Sequence, residues 1–338
     1  MIRARALSLH KFSNPLPAHT PVTRGREARP RGPSAPSRTP FFNPIPYPLM
    51  ADTNDWDIVI KPKEKLLSVD FGELWHYRDL CSLFVRRNIV VQYKQTILGP
   101  LWYVIQPALT VIMYMVVFGG IAGIPTDGVP QPLFYLGGIC MWQYFADCLN
   151  ATSNTFVANA NIFGKVYFPC LIMPVSNVLS NLLRFAIQFG LFAVVYAIYA
   201  LTGCAAHFTW AALLFPVLVL MMAGLSLGFG ILISSMTTKY YDLQILFGFI
   251  VQLWMYATPI VYPLSQADGK IVAGMNLHTI MSLNPVTPVI ETFKYGFLGA
   301  GEFIGWGWLA YSLVFMLILL ALGIVIFNKV QKSFMDTV

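Results

Sequence analysis

The sequence predicts an all-α integral membrane protein. It has six transmembrane helices per protomer, an amphipathic interfacial helix ahead of them and a re-entrant helical segment before the last. Three observations carry that prediction. Of the 338 residues, 57% are hydrophobic and only 11% charged, with mean hydropathy +0.62, whereas a soluble domain carries roughly 25% charged residues. One water-soluble core cannot enclose that excess, so lipid must solvate part of it. A cytosolic enzyme and a disordered chain are thereby excluded. Apolar runs of about 20 residues, enough to cross a hydrocarbon core of about 30 Å, recur along the chain. The 25 Phe, 16 Tyr and 8 Trp also suit the aromatic girdles of membrane proteins.

The elements follow in order. Residues 1–49 hold eight Arg and Lys against the single acid Glu27, a net +7, together with ten of the 23 prolines. With no apolar face to bury, this segment is expected to be disordered. It lacks the apolar stretch of a signal peptide, and its prolines oppose the amphipathic helix of a transit peptide. Met50 is the expected start, with 1–49 an upstream in-frame extension. The remaining residues carry 14 basic and 14 acidic side chains and sum to zero, so the net charge of +7 does not point to nucleic acid.

Residues 50–98 form the expected cytoplasmic N-terminal segment, in which Glu73–Gln95 reads as a helix. Tyr77, Leu80, Phe84 and Val91 fall near one face, while Asp79, Ser82 and Arg86 point elsewhere. Too charged to cross, the helix should lie in the interface with its Arg and Lys toward headgroups. The six spans of 99–328 are expected at 101–124, 133–157, 171–201, 210–235, 243–262 and 303–328, with 329–338 as a tail. An even number puts both termini on one side. The connections on that side carry eleven basic residues against Lys270 and Lys294 opposite, so both ends are expected in the cytoplasm.

Two connections are informative. Asn159–Cys170 is polar, then aromatic, and faces the cytoplasm on this topology; docking into a partner and an ordinary loop fit it equally. On the outer side, Leu283-Asn284-Pro285 and Thr287-Pro288 open a segment too short and too polar to span. A helix that dips in and returns is tolerated where it is buried in protein or lines a cavity.

The chemistry-bearing motifs are mostly negative. No GxxxxGK[ST], GxGxxG, HExxH or GxSxG is present. Cys81, Cys140, Cys148, Cys170 and Cys204 show no CxxC and no ligand spacing with the five histidines, so a metal site and a disulfide framework are not expected. Asp147 is the only acid in the middle of a span, so no carboxylate relay can drive transport. The energy for any transport must come from elsewhere. Asp147 and Arg184 sit at depths that differ by about 5 Å on adjacent antiparallel spans, and a mutual ion pair is the simplest remedy for their burial. Fixing helix register and contacting substrate both remain open as its role. Tyr103, Pro107, Thr110, Tyr114 and Phe118 share a stripe of the first span, with Trp142 and Tyr144 in the second and Trp254 and Tyr256 in the fifth. Those rings, with Trp102, suit either an interfacial belt or a conduit offering stacking surfaces to sugars.

Arg86–Pro107 (RRNIVVQYKQTILGPLWYVIQP) resembles the signature of type 2 ABC exporter permeases for polysaccharides and polyol phosphates: a basic helix ending Tyr93-Lys94-Gln95-Thr96, then Leu98-Gly99, Trp102 and Pro107. Lys165–Val178 and Leu283–Gly299 are similar to two further motifs of that family in the right order, although Cys170 stands where a basic residue is common. The resemblance implies a homodimer enclosing a channel for a lipid-linked glycan such as an O-antigen or capsular polysaccharide. It implies a separate nucleotide-binding subunit that binds ATP and Mg, so this chain is expected to be no enzyme and to bind no cofactor itself. Arg86, Arg87, Tyr93, Lys94 and Gln95 would belong to a gate helix at the cytoplasmic mouth. Asn159, Asn161, Ile162, Phe163 and Lys165 would form the main coupling helix, with Lys239, Tyr240 and Asp242 as a lesser contact. Trp102, Tyr103, Tyr114, Trp142, Tyr144, Trp254 and Tyr256 would line the channel, and Asn284, Pro285, Pro288 and Glu291 would cap it on the outer side. The expected location is the inner membrane, with membrane lipids and the two subunits as partners. The rivals are a small-molecule or drug exporter of the same class, a membrane-bound glycan-processing enzyme, for which no acid or metal cluster is present, and a non-transporting scaffold.

Overall fold

A computed structural model describes residues 71–94, 96–163, 168–203, 207–237, 240, 242–272, 274–301 and 303–335. The segments 1–49 and 50–70 fall outside the described residues. Eleven helices and one two-residue-per-strand hairpin make up the described part.

The expected interfacial helix is two pieces, α1 (Phe71–His76) and α2 (Arg78–Tyr93), separated at Tyr77. The first expected span is α3 (Trp102–Tyr114), entered through a 3-10 turn at Gly99–Leu101 and continued by π-helical turns over Met115–Ile121. Pro107 lies inside α3, where it lacks the amide that would bond back along the helix. The second expected span is α4 (Gln131–Ser153), four residues shorter at its end than the sequence suggests. The chain leaves the helix at Asn154 (φ −94°, ψ 6°) and restarts as α5 (Thr155–Phe163), itself kinked at Asn159 (φ −118°, ψ 15°).

Next come α6 (Ile172–Leu201) and α7 (Phe215–Thr237), the latter preceded by a 3-10 turn at Trp210–Leu214. The fifth expected span, 243–262, is corrected to α8 (Asp242–Ala257). Pro259 stops it: the residue before a proline is pushed out of the helical region, and the chain turns tightly, the Ile260 amide bonding to the Thr258 carbonyl at 2.7 Å. A hairpin that the sequence did not suggest follows, β1 (Ile271–Val272) against β2 (Met275–Asn276), with Ile271 opposite Asn276 and Val272 opposite Met275. Then come α9 (Leu277–Ser282), α10 (Thr287–Leu298) and α11 (Trp306–Met335), so the expected tail from residue 329 is helical through Met335. Among the described residues four stretches are long and apolar enough to cross a membrane: Gly99–Ile121, Ile172–Leu201, Trp210–Thr237 and Trp306–Val330.

Helix α7 is the central post, packed along α4 on one side and α11 on the other. Glycines permit this. A Cβ on Gly228 would lie 2.9 Å from Leu319 of α11, and one on Gly230 would lie 2.5 Å from Thr152 of α4. Such small residues let helix backbones approach where lipid offers no hydrophobic drive to pack. By contrast, α3 and α8 keep large exposed apolar faces, with Leu109, Ile112 and Met113 on the first and Ile245, Phe249 and Leu253 on the second.

Candidate polar seam and outer helix pair

The side chains singled out from the sequence gather in two places at opposite ends of the bundle. At one end α2 lies against α6. Its apolar stripe begins with Tyr77, Leu80 and Cys81 and ends at Phe84, which is buried with its ring 5.8 Å from Phe168. Val91, assigned to the same face, is instead 67% exposed. One and two turns beyond Phe84 the same face carries half-buried Asn88 and exposed Gln92, and the contact becomes polar.

There the Asn88 amide nitrogen donates to Asn177 Oδ1 at 3.0 Å and to Ser180 Oγ at 3.4 Å. Asn177 in turn donates to the Ala151 carbonyl of α4 at 3.0 Å. Gln92 Oε1 accepts twice, from the Tyr103 hydroxyl of α3 at 2.8 Å and from Arg184 Nε of α6 at 3.2 Å. Arg184 Nη1 lies 3.3 Å from Asp147 Oδ2, and its guanidinium sits 4.8 Å from the Tyr103 ring centre. The other carboxylate oxygen of Asp147 accepts from Gln143 Nε2 at 3.0 Å. Arg184 is thus engaged by a carboxylate, an amide and a ring, which makes it a knot between helices rather than a free anion receptor. Towards α5, Arg87 Nη2 donates to Asn159 Oδ1 and to Asn88 Oδ1, both at 3.3 Å, with the guanidinium 4.9 Å from the Phe84 ring. Asn159 is buried and donates to the Thr155 carbonyl at 3.0 Å.

Sequence reasoning named Arg87, Tyr103, Asp147, Asn159 and Arg184 but missed Asn88, Gln92, Asn177 and Ser180. The signal was available: Cys81, Phe84, Asn88 and Gln92 recur at the three- and four-residue spacing of one helix face. Arg86 and Lys94 are exposed and outside this seam. Ile162 packs against the small cluster that holds Phe84 and Phe156, and Tyr240, before α8, and Asp242, its first residue, are exposed. Gln95, Lys165 and Lys239, with the side chains of Tyr93, Asn161 and Phe163, lie outside the described residues.

The aromatic set divides. Trp102 and Tyr256 are exposed, and Tyr103, Tyr114 and Trp254 are half-buried. Trp142 and Tyr144, expected on a channel wall, are corrected to the protomer core at 4% and 3% exposure. Trp142 stands against Phe145 and Trp254, and Tyr144 lies 5.0 Å from Phe185. They face the neighbouring α6 and α8 because α4 is enclosed on nearly every side.

At the other end, α10 is buried along almost its whole length. Asn284 Oδ1 accepts the Val286 amide at 3.2 Å, and Pro288 sits in the first turn, a position whose amide needs no partner. Gly299 closes the helix with φ +63°, a left-handed value that favours glycine. The Asn284 amide also donates to Thr258 Oγ1 at 2.9 Å, tying the segment to the end of α8. Glu291 and Lys294 form an ion pair at 3.2 Å, the two side chains only 9% and 1% exposed. Lys294 donates to the Pro259 carbonyl as well and lies 4.0 Å from the Phe134 ring centre. Pro285 helps line a cavity of about 660 Å³, beside Trp254, Tyr262, Gln266, Lys270 and Asn284. Among the described residues no three His, Cys, Asp or Glu side chains cluster as metal ligands, and Cys81, Cys140, Cys148 and Cys170 are free thiols.

One end knitted by exposed and half-buried polar contacts, the other by a buried ion pair, and long apolar helices describe a membrane-embedded body, and residues 79–298 match the ABC-2 type transporter family. The chain belongs to that family. The ABC-2 match takes in the first two motifs read from the sequence and reaches into the third. The chain is 26% identical over 223 residues to the O-antigen export system permease protein RfbA of Myxococcus xanthus, covering 66% of this chain and 81% of that protein. Two Klebsiella pneumoniae proteins of the same name are 26% and 24% identical over 263 and 258 residues, each covering 76% of this chain and 94% of the relative. As an ABC-2 permease the chain is an integral membrane transport component, and the family implies a nucleotide-binding partner.

Proposed function

We propose that this chain is the permease subunit of an ATP-driven exporter that carries a lipid-linked polysaccharide, of O-antigen or capsular type, across the inner membrane. The observation that carries the reading is the similarity to O-antigen export permeases along nearly their full length, 94% of two of them. Two copies enclose the path, and the bare apolar faces of α3 and α8 suit contact with a second copy. In this reading α4 and α8 also cross the bilayer, giving six spans with both termini in the cytoplasm. Helices α9 and α10 dip in from the outer side as a cap, and the burial of α10 within the protein supports that assignment. At the cytoplasmic side α2 is the gate helix and α5 the principal contact with the nucleotide-binding subunit, with Tyr240 and Asp242 a lesser one. ATP and Mg are bound by that subunit, which also supplies the energy.

The mechanism then follows from the contacts. A push on α5 reaches α2 through Asn159 and Arg87, and α2 borders α3 through Gln92 and Tyr103. Exposed Trp102 and Tyr256 and half-buried Tyr103, Tyr114 and Trp254 remain as ring surfaces for passing sugars. The test is reconstitution in vesicles with its nucleotide-binding subunit. ATP-dependent uptake of a lipid-linked glycan into inside-out vesicles is expected, with no transport by the permease alone. Uphill transport without the partner, or transport of small molecules in preference to glycan, overturns the proposal.

A further inference from the structure

A second cavity, of about 670 Å³, separates part of α1 and α2 from the start of α6. Val85, Ile172 and Val175 form its floor, buried or half-buried, and Trp75, Arg78 and Leu179 stand exposed at its rim. On both α2 and α6 the lining residues recur three or four apart, so one face of each helix is turned to the gap. Protein interiors leave few voids larger than a water molecule, and an apolar void does not hold ordered water. A space of this size beside packed helices is filled from its surroundings.

Those surroundings are lipid. Helix α6 is long and apolar enough to cross a membrane, and Leu179 at the rim is followed on the same helix by exposed Leu182 and Leu183. The cavity is also polarised along its length. Asn88 meets Asn177 and Ser180, and Gln92 meets Arg184, so α2 and α6 run in the same direction, 89 to 92 positions apart. On that register Arg78 falls ahead of Ile172, where α6 begins, while Val85 falls inside α6, beside Val175. A guanidinium thus stands at the entrance of the span and apolar side chains line the way inward, the same order as the phosphate and acyl chain of a phospholipid. The carboxylate contact of Arg78 is Asp79 at 3.8 Å, with both side chains exposed, a pairing that contributes little. Phosphate offers a guanidinium two parallel hydrogen bonds. The Trp75 ring, 5.7 Å from the Arg78 guanidinium, suits the same interfacial depth.

We propose that this cavity binds one acyl chain of a glycerophospholipid whose phosphate is held by Arg78. The seated chain fills the gap and braces the interfacial helix against α6. Only the crossing of a bilayer by α6 is needed for this, whatever the cargo.

The test uses the full-length protein, purified in detergent and stripped of lipid. Dioleoylphosphatidylglycerol and dioleoylglycerol share their acyl chains and differ in the phosphate; each is titrated in, and bound lipid is counted by native mass spectrometry. The phospholipid should bind more tightly than dioleoylglycerol, and Arg78→Gln should weaken it about tenfold, the loss of one charge-assisted contact. Lys329→Gln, which removes an exposed cation of α11 outside the cavity, should leave the affinity unchanged. A diazirine on the acyl chain should mark Val85, Val175 or Leu179, and Val175→Trp, which fills the space, should remove the mark. Equal affinity for the two lipids, full affinity in Arg78→Gln, an equal loss in Lys329→Gln, or a mark found only outside the cavity overturns the proposal. So does a photoreactive benzoylphenylalanine at Leu179 that captures another stretch of this chain, a second copy or the nucleotide-binding subunit in place of lipid. Arg78 is exposed and its replacement leaves the packing intact, so the affinity readout stands even where Val175→Trp fails to fold.

Discussion

Exchanging the charges of Asp147 and Arg184 is the sharpest perturbation of the bundle. The pair is 3.3 Å apart with both side chains 22% exposed, and each partner also has a neutral or ring contact. At an effective dielectric of ~20 the attraction of unit charges at that separation is about 5 kcal/mol. Desolvation returns much of it, and partial exposure screens the rest, leaving a net coupling of about 1–3 kcal/mol. Asp147→Arg alone sets two guanidinium groups together, and Arg184→Asp alone sets two carboxylates together. Each single swap should therefore lower stability by at least that amount, and the double swap should recover it. The assay is a double-mutant cycle on the detergent-solubilised protein, reading unfolding midpoints for wild type, both singles and the double. A double swap that is as unstable as the sum of the singles would falsify the pairing. The recovery should be incomplete, because an Asp at position 184 cannot donate to Gln92 Oε1 as Arg184 Nε does.

Four further outcomes follow from the structure. Gly228→Leu, whose new side chain meets Leu319 from a Cβ position 2.9 Å away, should destabilise the α7–α11 packing by about 1–3 kcal/mol. Gly190→Ala, with open space at its Cβ, should leave the unfolding midpoint equal or higher. Lys294→Met strands the Glu291 carboxylate in the protein interior and should cost about 3–5 kcal/mol, partly restored by adding Glu291→Gln; an unchanged unfolding midpoint would show that the pair carries no weight. Burial of Cys81 beside Phe84 pushes its thiol pKa up, so the nucleophilic thiolate is scarce at neutral pH. With the other four cysteines replaced, maleimide labelling should be slow at pH 7 and should climb with pH beyond the point where free cysteine levels off. Labelling as fast as free cysteine at pH 7 would contradict this burial.

Composition and apolar run length determined that the chain lives in lipid, and where most of the long helices lie. The expected spans 171–201, interrupted only by Arg184, and 210–235 lie within two residues of the helical stretches Ile172–Leu201 and Trp210–Thr237. Depth bookkeeping along two antiparallel spans was enough to put Asp147 and Arg184 in reach of each other, because helical rise is a fixed length per residue. Pattern alone stopped at the places where partners come from elsewhere in the chain. Whether Trp142 and Tyr144 meet a channel or a neighbour depends on what encloses α4, and no local period encodes that. Asn88 and Gln92 looked like ordinary polar residues on an interfacial helix until α6 supplied Asn177, Ser180 and Arg184 opposite them. Lys294 counted in the sequence as one cation on the outer side, and only packing against Phe134, Pro259 and Glu291 made it an interior group. Hydropathy is a property of each residue and survives in the one-dimensional string. Satisfaction of a buried polar group is a relation between distant residues, and the tertiary fold decides it.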